Sequence, residues 1–508
     1  MTKQALSHAD YRSAEIWHLI ALKCILLSDV LKKWGKVVEC HHILQEGRLN
    51  IMGFVLLILM AASEIILILR TCLKGKEKQK WRKNRMITRM IQIVIVISAL
   101  VYPAAQKWRL VPILCCLIVL LLFAVSSVLI QRKKSGGEKT IGGTIISGIC
   151  STVLTGIFLV PAFVFTGYSG LPVTGEYQVQ ETSAILVDRS RTDPFEQDGS
   201  FREVPVYIYY PETEEEVSDS FPLIVFSHGA FGYYQSNTST YMELASNGYV
   251  VVSLDHPHHS LFTQDTEGKM IMVDQGFLQS VMEIGNSTDP NANAEEKLSL
   301  YQDWMELRTA DIGFVLDAIE TAKAAGEMSD VWFLSEESRN SILIVLEKMD
   351  IQSVGLMGHS MGGAASAALG RKREDVSAVI DLDGTMLAEY VDVADGQFVI
   401  SDQPYELPIL EFVNWETRNQ LQEYLSDEED YPNTKVMKYA GTGFSVILRD
   451  TKHMDFTDLP LLSPVIGKML GSGERDTRET MMIVNSIVLE FFDCYLKGES
   501  GFSVQGVY

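Results

Sequence analysis

Cysteine is scarce where a stapled fold would need it. Of Cys24, Cys40, Cys72, Cys115, Cys116, Cys150 and Cys494, only Cys494 follows residue 166. Residues 167–508 therefore cannot hold an internal disulfide, which speaks against a eukaryotic secreted scaffold and for a bacterial surface protein. No Cys/His spacing of a structural zinc site occurs, so neither a metal nor a cofactor is expected. Basic charge is missing from the same portion. Residues 167–508 carry 21 Lys and Arg against 57 Asp and Glu, a net of −36. Such a surface repels polyanions, which excludes nucleic acid as a partner. Residues 1–166 invert the balance, with 22 basic against 8 acidic residues, a net of +14. A secretory signal's basic start, short apolar core and small-residue cleavage site are also absent.

What the first third has is long apolar runs: Ile51 to Leu69, Met90 to Ala105, Val111 to Ile130 and Ile141 to Thr166. Each approaches the roughly 20 residues a helix needs to cross ~30 Å of hydrocarbon. Four in succession predict an all-α transmembrane region of four helices over 51–166. The loops 70–85 and 131–139 hold eight and four Lys and Arg. Basic loops stay in the cytoplasm, so both the N-terminus and the portion after 166 are expected outside, on a multi-pass cell-membrane protein. Residues 1–50 carry an apolar helical side interrupted by Lys23 and read as an interfacial segment, or one dispensable if translation starts at Met52. Glu64 reads as a carboxylic acid packed between helices, and Arg89 as a span-end residue that snorkels.

Residues 167–508 alternate short apolar runs with helical patterns. Ser183 to Asp188, Val204 to Tyr210, Pro222 to Phe226, Tyr249 to Leu254, Val376 to Asp383, Leu407 to Val413 and Phe444 to Leu448 read as strands. Strands apolar along their whole length belong to a mostly parallel sheet covered by helices on both faces, an α/β sandwich of roughly eight strands. Trp304 to Ala325 and Thr477 to Leu496 read as helices, and the polar stretch Phe262 to Leu300 as a flap.

The chemistry gathers around Val354 to Ala365, VGLMGHSMGGAA. An apolar strand enters Gly358-His359-Ser360-Met361-Gly362, and small residues then open a helix. A serine on so sharp a turn needs glycine two positions before and after it, because a Cβ there would collide with a neighbouring element. The serine must give its proton to an imidazole that a carboxylate orients. His453 is the one histidine after Ser360. For the acid, Asp383 at the carboxyl end of its strand is preferred. Asp381, a step deeper, is expected to pair structurally, while Glu411 and Glu416 stand as alternatives. The oxyanion needs two N–H donors, expected from Met361 and from Ala230 in the Gly-rich loop 228–232. Asp255, His256, His258 and His259 read as a cleft rim or as bonds to neighbouring loops rather than a metal site. Arg308 and Asp311 read as an ion pair one helical turn apart.

FSHGAFG at 226–232, LASNGYVVVSLDH at 244–256, GHSMGG at 358–363, LDGT at 382–385 and HMDFTDLP at 453–460 together resemble the platelet-activating factor acetylhydrolase family, a branch of the α/β-hydrolases near the dienelactone-hydrolase-like esterases. The resemblance runs over about 172–497 and implies an α/β-hydrolase fold with Ser360 as nucleophile, Asp383 as acid and His453 as base. It also implies calcium-independent hydrolysis of short or oxidised acyl chains of phospholipids, or of similar small esters. The blood enzymes of that family lack a four-helix region, and Met361 stands where an aromatic residue is frequent. A catalytically silent domain acting as a sensor coupled to the membrane helices is the reading from another class.

Overall fold

The computed structural model describes residues 51–508 apart from 75–76, 102–106, 131–139, 167, 169, 214–219, 288–290, 327–330, 334, 425–430 and 500. The expectations for residues 1–50 lie outside the described residues. The described residues divide into two compact units, 51–101 with 109–163, and 107–108 with 164–508.

In the first unit, four helices are long and apolar enough to cross a membrane: Met52–Leu73, Lys78–Val101, Lys107–Leu129 and Ile141–Phe158. Leu56, Met60, Val96, Ile113 and Leu117 pack among them, while outward positions such as Ile58, Leu122 and Phe123 are more than 60% exposed and equally apolar. The second helix begins at Lys78, not near Met90, because its polar first turns conceal it in the hydropathy pattern. Arg89 consequently lies mid-helix. It is 2% exposed and does not snorkel. It pairs with Glu64 and donates to Ser151 Oγ at 2.6 Å. Glu64 also accepts from Ser151 Oγ at 3.0 Å, and Gln92 Nε2 donates to Ser63 Oγ at 2.7 Å. Polar groups removed from water must find one another, and these do except Arg89 Nε, which is buried without a partner among the described residues.

The second unit is built on strands β1 (Val179–Thr192), β2 (Phe201–Pro211), β3 (Phe221–Ser227), β4 (Val250–Leu254), β5 (Phe262–Gln264), β6 (Met270–Met272), β7 (Val331–Phe333), β8 (Met349–His359), β9 (Val376–Leu382), β10 (Tyr390–Ala394), β11 (Gln397–Ile400), β12 (Ile409–Asn414), β13 (Gly443–Leu448) and β14 (Gly506–Val507). A ten-stranded sheet runs β14-β13-β12-β9-β8-β3-β4-β2-β1-β7. It is parallel from β14 through β4 and antiparallel at β2, β1 and β7. The sequence suggests about eight strands; the edge strands β7 and β14, three and two residues long, are too short to show a period.

Side chains alternate across the sheet as the pleat requires. On β3, Leu223 and Val225 join one core, and Ile224 and Phe226 the other; on β8, Leu356 and Met357 divide in the same way. Burial on both faces explains why β3 and β4 are buried at every residue. The stretch Phe262 to Leu300, read as a flap, has regular structure. It holds the hairpin β5–β6, the helix Gln275–Gly285, capped by Asp274, and the start of the 32-residue helix Ala294–Ala325.

Candidate active site

Strand β8 ends at His359, and the helix Met361–Gly370 starts two residues later, which leaves Ser360 at φ 55°, ψ −125°. A non-glycine residue held there stores strain, which the surroundings must over-determine. They do so by contact. A Cβ on Gly362 would lie 1.9 Å from the Ser227 carbonyl oxygen, and one on Gly358 would lie 2.3 Å from the Gly362 carbonyl carbon. The turn therefore closes as tightly as the G-x-S-x-G spacing suggests. Ser360 N donates to Leu382 O at 2.9 Å, which ties the turn to the end of β9.

Asp383, the first residue after β9, also has positive φ, 59°. Its carboxylate accepts from Asn414 N at 2.7 Å and from Asn414 Nδ2 at 2.8 and 3.0 Å, and from His453 Nδ1 at 2.6 Å. Asn414 ends β12, and Leu382 is paired with Phe412 across the same ladder, so the parallel register delivers the amide to the acid. His453 follows β13 in a short 3-10 turn, and its side chain is 44% exposed. His359 holds it from beneath, donating Nε2–H to the His453 carbonyl at 3.1 Å with the rings 4.6 Å apart. Burial, reinforced by the nearby His453, pushes the His359 pKa well below the usual imidazole range, so that ring is the neutral donor this bond needs. The Ser360 hydroxyl makes no hydrogen bond among the described residues.

Asp381 and Glu411 face each other on paired positions of β9 and β12, both buried. Burial raises both pKa values, with Glu411 adding to the effect on Asp381. Asn433 Nδ2 bridges them at 3.3 and 3.2 Å, and Asp381 also accepts from Gly384 N at 2.8 Å. Asp381 is thus a structural group under the turn. Glu411 is directed into this pair, and the exposed Glu416 pairs with Lys452 at 2.8 Å. Of the alternatives, only Asp383 reaches His453.

Ala230 and Met361 lie in the loop after β3 and at the start of the elbow helix. Neither backbone N–H donates a hydrogen bond among the described residues. Gly229 makes the approach of the two segments possible, since a Cβ there would sit 3.1 Å from Ser360 Cβ.

Of the two readings of residues 255–259, the rim is corrected, since Asp255, His256 and His259 are buried, while bonding to neighbouring segments is seen at Asp255. Among the described residues no group of His, Cys, Asp and Glu is placed to hold a metal ion. His256 donates Nδ1–H to Asp311 Oδ2 at 3.0 Å and accepts from Ser227 Oγ at 2.9 Å. All three members of this Ser-His-Asp chain are sealed from solvent. Burial lowers the His256 pKa to about 4. Asp255 accepts from Tyr234 N and Thr263 Oγ1, and burial pushes it up to about 7. The Arg308–Asp311 pair is not formed either. Asp311 instead meets Arg202 at 2.8 Å and Arg191 at 3.0 Å. Burial alone would raise its pKa, and Arg202 and His256 outweigh that and lower it. Arg308 turns away, toward the carbonyls of His228 and Gly229. Sequence reasoning missed Asn414, His359 and this use of Arg308. Only His359, inside the motif, carried a local signal.

A mostly parallel sheet flanked by helices, with a serine on a strained strand-to-helix turn, defines an α/β-hydrolase fold. A sequence profile of the family described as platelet-activating factor acetylhydrolase, isoform II, matches residues 203–504, and the chain belongs to that family. It is similar to the platelet-activating factor acetylhydrolase of Cavia porcellus, 24% identical over 294 residues, which are 56% of this chain and 60% of the relative. It is also similar to that of Canis lupus familiaris, 22% identical over 295 residues, 55% of this chain and 58% of the relative. The chain thus spans about three fifths of these relatives. Among solved structures, the ferulic acid esterase from Streptomyces cinnamoneus aligns with a TM-score of 0.46 and 19% identity, over 65% of this chain and 93% of that one.

Proposed function

We propose that this chain is a membrane-anchored serine esterase whose catalytic portion faces outward. It would act on short or oxidised acyl esters of phospholipids, or on similar small esters. In this reading Ser360 Oγ attacks the ester carbonyl while His453 Nε2 takes its proton. Asp383 keeps the Nδ1–H tautomer and steadies the imidazolium. The tetrahedral oxyanion sits against the Ala230 and Met361 N–H groups, each worth ~3 kcal/mol or more in the transition state. Its collapse expels the alcohol, which takes the proton from His453, and water then hydrolyses the acyl-enzyme by the same route.

The observation that carries the reading is the combination at one end of the sheet. Ser360 stands on its strained turn, the Asp383–His453 hydrogen bond of 2.6 Å lies at the ends of the following strands, and two backbone donors are unspent among the described residues. The family relationship supports ester chemistry, and the names of the relatives suggest an acetyl-sized acyl group. The −36 charge of residues 167–508 disfavours anionic headgroups, which points to zwitterionic, neutral or soluble esters. The four apolar helices support a tether that keeps the catalytic portion near lipid.

The test is a fluorophosphonate probe and a graded series of acyl esters on the full chain in detergent. Ser360→Ala is expected to abolish labelling and to cut short-chain turnover by ~10³ or more. Undiminished turnover in that variant would end the proposal.

A further inference from the structure

Arg308 is fully buried, and Asp311, the carboxylate one turn along its helix, is committed to Arg202, Arg191 and His256. Its guanidinium instead donates to two successive main-chain carbonyls, Nη1 to His228 O and Nη2 to Gly229 O at 3.4 Å. Its Nε also donates to His259 Nδ1 at 3.4 Å, and burial pushes the Arg308 pKa down to about 9. The Gly229 carbonyl has two further donors, His228 Nδ1 at 2.7 Å and Gly232 N at 3.1 Å. That use of Nδ1–H requires His228 Nε2 to be an acceptor, and the Ser260 hydroxyl meets it at 2.8 Å. His228 is itself fully buried.

In a planar trans peptide the C=O and the following N–H point in opposite directions, and no cis peptide occurs among the described residues. Three donors pulling on Gly229 O therefore aim the Ala230 N–H the other way, and the same holds for His228 O and the Gly229 N–H. Two successive N–H groups facing away from one cation form a small anion-binding concavity. The positive charge behind it also polarises both peptide groups in the sense that strengthens their donors.

Resting on the esterase reading above, we infer that Arg308 is a positioning residue of the oxyanion site. It and the Ser260-locked His228 ring hold the 229–230 peptide so that the Ala230 N–H meets the developing oxyanion. Arg308 touches no substrate; it acts on the transition state through a carbonyl.

The experiment is steady-state kinetics of the full chain in detergent micelles on 4-nitrophenyl acetate, with thermal melting of each variant and inhibition by a trifluoromethyl ketone, which forms a tetrahedral anion on the serine. Arg308→Met is expected to lose about a hundredfold in kcat with KM within threefold, and inhibitor affinity is expected to fall by the same factor. Arg308→Lys, which keeps charge but not the fork, should lose about tenfold. Should Arg308→Met not fold, Ser260→Ala decides the matter. It removes the nearer of two donors to His228 Nε2, the other being His256 N at 3.4 Å, and so loosens the ring, and a three- to tenfold kcat loss at constant KM is expected. Wild-type kcat in folded Arg308→Met, or in both Arg308→Lys and Ser260→Ala, or a loss confined to KM, overturns the inference alone. A wild-type chain that neither turns over esters nor takes up a fluorophosphonate probe defeats the esterase reading itself and this role with it.

Discussion

His453 Nδ1 donates to Asp383 Oδ2 across 2.6 Å, and the Asn414 amide grips the same carboxylate from behind at 2.8 and 3.0 Å. The Asp383 carboxylate is thus held on both sides. In the proposed mechanism Asp383→Asn would present an N–H to Nδ1 and invert the tautomer, so kcat should fall by ~10³–10⁴ with little change in KM. Asn414→Ala leaves the acid in place but less constrained, and a loss nearer tenfold is expected. Glu411→Gln, buried and off the His453 path, should stay within threefold of wild type. If Glu411→Gln proved as damaging as Asp383→Asn in the same ester assay, the acid would have been misassigned.

Glycine positions give a stability prediction that is independent of catalysis. A Cβ at 362 would stand 1.9 Å from a backbone oxygen of β3, where no flexible side chain can yield. Gly362→Ala should cost at least about 3 kcal/mol or prevent folding altogether. Gly313, on the helix Ala294–Ala325, is the opposite case, since a methyl group added there would have nothing within 4 Å. There Gly→Ala should add about 0.5–1 kcal/mol by restricting the unfolded chain. Chemical denaturation of the two variants checks both signs at once.

These two glycines also show what sequence can and cannot carry. The elbow is legible because its constraint is local: strand, turn and helix fall within twelve residues, and the glycine spacing states the collision directly. His453 is reachable by elimination, since no other histidine follows Ser360. Arg308 is not. Its partners lie 79 and 80 residues away, and the nearer Asp311 offers a pairing by helical spacing that the fold declines. Arg89 is misplaced by sequence for a similar reason, because the charged first turns of its helix lower hydropathy and move the apparent start toward Met90. Local pattern specifies elements and the turn they force; partners across the sheet or between helices are set by packing.

Stability should depend on pH through His256. Burial depresses its folded pKa to about 4, below the ordinary imidazole value of 6.5. Its contribution is therefore complete above about pH 6.5 and is lost as pH falls through about 4, because the unfolded chain gains the proton first. Asp255 works in the opposite sense. Raised to about 7, it contributes below about pH 4, and that contribution is lost as pH rises through about 7. The two are separated by comparison with His256→Gln. The melting-temperature advantage of wild type over that variant should shrink steadily between pH 7 and pH 4.5. An advantage that is constant with pH would mean His256 does not titrate on unfolding.

The Glu64–Arg89 pair invites the sharpest test of the helical unit. Arg89 is 2% exposed, and its nitrogens reach Glu64, Gln92 and Ser151, so three helices meet at one guanidinium. Removing one partner leaves the other charge buried and uncompensated, a loss of about 3–5 kcal/mol. Glu64→Leu and Arg89→Leu should each lower the melting temperature in detergent sharply. The double variant should be less damaged than the sum of the two, because it removes both desolvation costs and leaves apolar groups among apolar helices. The readout is the coupling energy from the thermal cycle, which does not depend on ester turnover. Additive losses would mean that Glu64 and Arg89 are held independently, and the pair would then have no part in joining the helices.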